Sequence, residues 1–187
     1  MDRRELCAAL VVLAAAAPIA ACGSSKSSAS SSGVTAGQYV KAICTAVGPF
    51  EKDVASRSNA LNSAKLTSAS PGKKAVQDFL SAVSTDTNTA LSKLQAAGTP
   101  NVDNGKTIST TIVSAFKQLK SAIGTALTQA NSLSTSSPQA FQKGANALGG
   151  TVRSSLSGIS TSLGKLKSPD LEKAASKEPS CTALSGA

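Results

Sequence analysis

The chain has 187 residues and a net charge of +9, from 19 lysine and arginine residues against 10 aspartate and glutamate residues. It contains no histidine, no tryptophan, one tyrosine and four phenylalanines. Histidine, the commonest general base and metal ligand, is therefore absent, and few aromatic rings are present for stacking nucleic-acid bases. We expect no catalytic residues, no metal, no cofactor and no nucleic-acid partner, whereas the positive charge favours anionic surfaces.

The first 21 residues have the organisation of a secretion signal peptide. Two arginines within residues 1–5 precede an unbroken apolar run from Leu6 to Ala17. This run of 12 residues suits a signal peptide, and it is shorter than the roughly 20 residues that a membrane span requires. Pro18 then interrupts any helix ahead of the cleavage region.

Residues Ile19, Ala20, Ala21 and Cys22 follow, and they resemble the lipobox of bacterial lipoproteins. The sequence departs from that pattern at Ile19, where leucine is usual. The resemblance implies that the Cys22 thiol receives a diacylglyceryl group with palmitate-type chains, and that a signal peptidase cuts between Ala21 and Cys22. Two acyl chains give stable membrane anchoring. An ordinary secretion signal, with Cys22 as a bystander, is the alternative.

Residues 22–33 are predicted to be the lipidated cysteine and a flexible tether, because residues 23–33 are almost entirely serine and glycine. A chain of this length and composition spans about 17–20 Å on average. If the signal is removed, 187 − 21 = 166 residues remain, and residues 34–187 are long enough for one domain with one hydrophobic core.

Apolar residues then recur every three or four positions, which predicts amphipathic helices. In the first stretch Thr35 is the expected cap, and Gly48 with Pro49 predicts a kink or a short break. The second stretch is expected to open at Ser70, as the cap before a proline, and to stop at Gly98.

The third stretch has the most regular spacing, from Ile108 to Ala130, and Asp103 or Asn104 is its expected cap. The fourth opens at Ser137, again a cap before proline. Its predicted apolar stripe consists of Phe141, Ala145, Leu148, Val152, Leu156, Ile159, Leu163 and Leu166.

Four helices of this length, joined by short turns, favour an all-α fold, namely an up-down four-helix bundle. A short extra helix is expected from Ser168, ending at Pro179. The fourth helix should be the least stable, because each helical glycine costs up to about 1 kcal/mol relative to alanine. The glycines in this stretch are Gly144, Gly149, Gly150, Gly158 and Gly164. They indicate either that another helix approaches closely or simply that the composition is biased. We expect the domain to be a monomer.

Cys44 and Cys181 are the only other cysteines beyond the predicted signal. Since the outside of the cell permits disulfides, we predict a bridge that fastens the C-terminal tail to the first helix. It would close 181 − 44 = 137 residues, which is worth about 5 kcal/mol in the chain-entropy model. Two free thiols are the alternative.

Three patterns could in principle carry chemistry, and none is distinctive. Asp78 and Asp86 lie eight residues apart on the second helix and are best explained as solvated side chains. Ser162 and Lys165 have the Ser-x-x-Lys spacing, which this composition produces by chance. The segment 105–107, Gly-Lys-Thr, lacks the earlier glycine and the strand of a phosphate-binding loop.

The overall layout resembles small secreted lipoproteins of high-GC Gram-positive bacteria: a lipobox, a Ser-rich tether, a helical domain and a Pro-x-Cys near the C-terminus. The resemblance implies a protein anchored at the outer face of the cell membrane, and it implies no defined activity. The main hypothesis is a non-catalytic interaction or scaffold module of the cell envelope, with anionic lipids or cell-wall polymers as partners. The alternative is a carrier that holds an apolar ligand between its helices.

Overall fold

The computed structural model of the protein describes residues 33–63 and 68–182. Regular structure in these residues is helical apart from one isolated bridge between Val34 and Pro100. The helices are α1 (Ala36–Ser63), α2 (Ala69–Ala96), α3 (Gly105–Asn131), α4 (Pro138–Leu163), α5 (Pro169–Ala175) and α6 (Pro179–Thr182). The predicted all-α helical bundle is confirmed. The predicted signal peptide and most of the predicted tether lie outside the described residues.

Helix α1 begins at the predicted cap, Thr35, which forms a reciprocal pair of hydrogen bonds with Gln38. The Thr35 hydroxyl accepts from the backbone N–H of Gln38 at 3.3 Å, and the Gln38 side chain accepts from the backbone N–H of Thr35 at 3.1 Å. The helix then passes through Pro49 without ending, so a break there is the wrong prediction. Ala46 and Phe50, on either side of Pro49, are both buried. Their packing offsets the hydrogen bond that proline removes.

Helix α2 starts earlier than predicted, because its N-cap is Ser68 and not Ser70. Pro71 is consequently the third helical residue. This position tolerates proline, since the first backbone N–H groups of a helix have no partner within it. The predicted end is confirmed: the helix stops at Ala96, and Gly98 has a φ of 77°, a conformation that favours glycine.

The remaining helix starts follow the sequence signals with one exception. Asn104 occupies the predicted N-cap position of α3 in the left-handed conformation with a φ of 58°, but its side chain makes no capping hydrogen bond. The Ser137 hydroxyl accepts from the N–H of Ala140 at 3.1 Å, which confirms the predicted cap of α4. The exception is Pro179, which begins α6 instead of ending the preceding helix, because proline suits the first helical position.

Consecutive long helices pack against each other, so the order α1–α2–α3–α4 is up-down-up-down. Helix α4 packs mainly on α3 and more lightly on α2, while α5 and α6 pack on α1. The central cluster joins α1, α2 and α3, and its rings Phe50 and Phe116 meet edge to face with centroids 5.8 Å apart. Its buried members are Ala46, Phe50, Val83, Ala90, Leu91, Leu94, Phe116 and Ile123.

A second cluster lies where α4 meets α2 and α3, and it covers only the first half of α4. Leu148 is the buried residue of that helix, and it packs with Leu80, Ala126, Ala130 and Leu133. Along the second half of α4 the predicted stripe residues Leu156, Ile159 and Leu163 are only half-buried. The last predicted stripe residue, Leu166, lies beyond the helix end and packs in a third cluster instead.

Candidate functional site: the entry end of the bundle

Two of the predicted site residues form a covalent link in the structure, and the others lie outside the described residues. Cys44 of α1 and Cys181 of α6 form a disulfide with their Cα atoms 5.1 Å apart, which confirms the predicted bridge. The bridge holds α5 and α6 against α1. Ile19, Ala20, Ala21 and Cys22 belong to the part of the chain that is not described.

The chain enters the domain at a defined place. The Val34 N–H donates to the carbonyl oxygen of Thr99 at 3.0 Å, and the Asn101 N–H donates to the carbonyl oxygen of Val34 at 2.8 Å. These two bonds fix the start of the domain to the loop between α2 and α3. We call this end of the bundle the entry end; it comprises Val34, the start of α1, the α2–α3 loop (97–104), the start of α3 and the α4–α5 turn (164–168).

A small apolar cluster supports the entry end from inside. Tyr39, Ala97 and Ile108 are its buried members, with Leu166 and Leu171 packed against them. Burial raises the pKa of Tyr39 above its usual value of 10.0, an effect that its hydrogen bond with Ser109 partly opposes. The Ser109 hydroxyl in turn donates to the carbonyl oxygen of Gly98 at 2.9 Å, so one polar chain joins α1, α3 and the loop between α2 and α3.

The close approach at the start of α3 explains one glycine. A Cβ on Gly105 would overlap the carbonyl oxygen of Pro100, which is a backbone atom with little freedom to move. The segment 105–107 is therefore a tight junction between the loop and α3, and it follows no strand. This geometry differs from that of a phosphate-binding loop, which connects a strand to a helix.

A shallow groove of about 500 Å³ lies between α1 and α5, and it is open to solvent. Its walls are largely charged: Lys41 comes from α1, Asp170 and Lys173 from α5, and Lys177 and Glu178 from the segment before α6. Hydrogen bonds from the Ser180 hydroxyl and backbone N–H hold the pKa of Glu178 below its usual value, and the charge of Lys41 adds to this. The carboxylates partly balance the lysines here, so the groove is not a strongly cationic site.

A second groove of about 270 Å³ lies at the start of α3, lined by Lys106, Thr107, Thr110 and Thr111. One ammonium group and three hydroxyls thus share a concave surface without a carboxylate among the lining residues. Side chains of this kind donate hydrogen bonds to anionic oxygens. This groove was missed by sequence analysis, although the spacing of the threonines along α3 is visible in the sequence.

The two carboxylates singled out on α2 are not brought together. Asp78 pairs with Lys74, one turn earlier, at 3.0 Å. Asp86 lies 3.8 Å from Nε of Arg57, which also bonds Asp53 at 3.2 Å. The nearer oxygen of Asp86 has no hydrogen-bond partner, so this contact is an ion pair without a hydrogen bond. Asp78 thus pairs within α2 and is exposed as expected, whereas Asp86 shares Arg57 with Asp53 between α2 and α1, and its paired oxygen is buried, so the expected solvated side chain is not found at Asp86.

The Ser-x-x-Lys pattern also forms no site. The Ser162 hydroxyl donates to the carbonyl oxygen of Gly158, one turn back in α4, at 3.0 Å. Lys165 lies beyond the end of α4 and is exposed. The hydroxyl therefore makes the local backbone bond that serine often makes in helices.

The charge of the domain is unevenly divided among its elements, a property that sequence analysis overlooked. No acidic residue occurs between Asp103 and Asp170, so the α3–α4 hairpin carries cations only. Residues 33–103 contain seven cations and five carboxylates, and residues 168–182 contain two and three. The hairpin cations are Lys106, Lys117, Lys120, Lys143, Arg153, Lys165 and Lys167.

All seven of these side chains are exposed. The ion pairs between described residues involve only Arg57 and Lys74, both outside the hairpin. The positive field of the hairpin is therefore not neutralised by carboxylates of its own surface.

Comparison with protein-family models, with curated proteins and with solved structures finds no match to this chain. None of the helices in the described part of the chain is long and apolar enough to cross a membrane.

Proposed function

We propose that the protein is a lipid-anchored lipoprotein at the outer face of the cell membrane, and that its helical domain is a non-catalytic interaction module of the cell envelope. The observation that carries the anchor is the sequence from Ile19 to Cys22 after an apolar run of signal-peptide length. The disulfide between Cys44 and Cys181 supports the location, because disulfides persist in oxidising compartments outside the cytosol.

The entry end supports the same arrangement. A tether that follows Cys22 would meet the domain at Val34, whose backbone is bonded to Thr99 and Asn101. The domain is thus attached at one end of the bundle and not at its middle. An attachment of this kind keeps the long sides of the bundle available for contacts.

The interaction role rests on the exposed cations of the α3–α4 hairpin, which have no carboxylates beside them in that hairpin. Such a surface attracts anionic partners and weakens its binding as salt rises. The two carboxylates considered as a catalytic pair, Asp78 and Asp86, are held in separate ion pairs, with Lys74 and with Arg57.

The anchor is tested by phase partitioning of the full precursor expressed in a bacterium that processes lipoproteins. The wild-type protein should enter the detergent phase, and its N-terminal peptide should carry the mass of a diacylglyceryl group. Cys22→Ala should move the protein to the aqueous phase, whereas the control Cys44→Ala should still partition into detergent. Equal partitioning of wild type and Cys22→Ala would refute the anchor.

A carrier of an apolar ligand is the second candidate function, and one observation favours it. Leu156, Ile159 and Leu163 form an apolar stripe on α4 that is only half-buried. An acyl chain or another apolar ligand lying along this stripe would complete its burial. Native mass spectrometry of the protein from its own host tests this: an added mass that disappears on denaturation supports the carrier, and a clean apo mass supports the interaction module.

A further inference from the structure

Some of the cations of the α3–α4 hairpin lie where the chain enters the domain, at the end of the bundle where the α2–α3 loop also holds one carboxylate, Asp103. Lys106 is the second residue of α3, while Lys165 and Lys167 lie in the turn that follows α4. Both segments belong to the entry end, since Ile108 and Leu166 pack in the same apolar cluster with Tyr39. Three of the seven hairpin cations therefore lie close to the point at which a tether would leave the domain.

The lysines of α3 also share one side of that helix. Lys117 and Lys120 follow Lys106 by 11 and 14 residues, which places all three within about 60° around the helix axis at 3.6 residues per turn. The cationic surface thus continues from the entry end along α3. Beside its first member, the hydroxyls of Thr107, Thr110 and Thr111 line the same groove as Lys106 and can donate to phosphate oxygens.

We propose that the α3–α4 hairpin, starting from its entry end, is the surface with which the domain docks onto the anionic lipid headgroups of the membrane that anchors it. The proposal rests on the proposed function for the presence of the anchor. The tether predicted for residues 23–33 would span only about 17–20 Å and would hold the entry end near the bilayer. The attraction between headgroups and lysines acts within a Debye length of about 8–10 Å, and Lys106, Lys165 and Lys167 are the hairpin cations nearest to that surface.

The opposite hairpin, formed by α1 and α2, is the less suitable surface. Its cations are interspersed with the four carboxylates of α1 and α2, Glu51, Asp53, Asp78 and Asp86, and two of its cations are already paired. An anionic bilayer would be repelled by those carboxylates, and the net attraction would be small. Charge complementarity therefore selects the α3–α4 hairpin as the membrane-facing side.

The test uses the mature chain, residues 22–187, with Cys22→Ser so that no lipid contributes to binding. Co-sedimentation compares vesicles of phosphatidylcholine mixed with phosphatidylglycerol against vesicles of phosphatidylcholine alone. The hairpin variant is Lys106→Gln, Lys165→Gln, Lys167→Gln. The matched control is Lys52→Gln, Lys74→Gln, Lys93→Gln, which removes the same charge from exposed positions on α1 and α2.

Each lysine at an anionic surface contributes about fivefold to binding. The hairpin variant should therefore bind phosphatidylglycerol vesicles on the order of a hundredfold more weakly, and the control should lose less than about threefold. Binding of the parent should fall steeply with added salt. Circular dichroism and the Tm should show that both variants keep the fold, because all six positions are exposed.

Three results would overturn the proposal: equal losses in the two variants, equal binding to both kinds of vesicle, or binding to soluble polyphosphate without binding to vesicles. The last result would point to an anionic polymer of the envelope as the partner. Failure here would leave the anchor intact, since the anchor is tested separately by the partitioning of Cys22→Ala.

Discussion

The glycines of this domain allow a sharp test of its packing, because the structure divides them into two groups with opposite expected effects. A Cβ added at Gly149, Gly150 or Gly158 of α4 would meet no atom within 4 Å apart from its chain neighbours and the adjoining backbone of its own helix, and all three positions are exposed. A Cβ added at Gly105 would overlap the backbone carbonyl of Pro100. Composition alone does not distinguish these groups.

Replacing all three open glycines of α4 with alanine should stabilise the domain. Alanine is favoured over glycine in a helix interior by about 0.8–1.0 kcal/mol for each residue, so the triple variant should gain about 2–3 kcal/mol in the free energy of unfolding. For a domain of this size that corresponds to an increase of roughly 5–10 °C in Tm. By contrast, Gly105→Ala should cost about 2–3 kcal/mol, because a backbone atom of Pro100 must move.

The assay is urea unfolding of the mature chain with Cys22→Ser, followed by far-UV circular dichroism and by thermal melting. Hydrogen exchange locates the gain, since amides in the second half of α4 should exchange more slowly in the triple variant. A triple variant that unfolds at the same or a lower urea concentration would refute the argument that α4 has free space at these positions. A Gly105→Ala variant as stable as the parent would refute the close approach at the start of α3.

Four further predictions concern a lysine that binds the end of a helix, two glutamates and the disulfide. Lys73 donates to the carbonyl oxygens of Asn131 at 2.7 Å and Leu133 at 3.1 Å, so Lys73→Met should cost about 1 kcal/mol in urea unfolding, whereas Lys52→Met should change stability by less than about 0.5 kcal/mol. Desolvation raises the pKa of Glu51, so its charged form opposes folding above the unfolded-state pKa; Glu51→Gln should therefore stabilise the protein at neutral pH, and the gain should disappear as the pH falls below about 4. Ionisation of Glu178 has the opposite effect on stability, because the pKa of this side chain is lowered in the folded state. Its charged form stabilises the fold above the unfolded-state pKa, and this stabilisation is lost as the pH falls through the folded-state pKa. An NMR titration should show Glu178 protonating at lower pH than Glu51. Replacing Cys44 and Cys181 together with alanine opens a loop of 137 residues and should cost about 5 kcal/mol, with faster hydrogen exchange in α5; unchanged exchange in α5 would show that its packing on α1 does not depend on the bridge.

The sequence alone predicted the helical class, the order of the four long helices and most of their ends. These features depend on local chemistry: Thr35 and Ser137 cap because their hydroxyls reach backbone N–H groups three residues ahead, and Gly98 ends α2 because it adopts a positive φ. The pairing of Cys44 with Cys181 was also predictable, because beyond the predicted signal only Cys22 was left as another candidate. The lipobox and the function of the domain remain predictions.

Only the tertiary structure decided the features that depend on packing against a neighbouring helix. Helix α1 continues through Pro49 because Ala46 and Phe50 are buried on both sides of it, and local propensity alone predicts a break there. The second half of α4 is only half-buried because α4 packs mainly on α3, which a regular apolar stripe cannot reveal. The absence of acidic residues between Asp103 and Asp170 is written in the sequence. The fold places that whole stretch in one hairpin, which starts and ends where the chain enters the domain. Only this placement shows that the cations share one surface, because a surface charge acts through its position in space and not through its place in the chain.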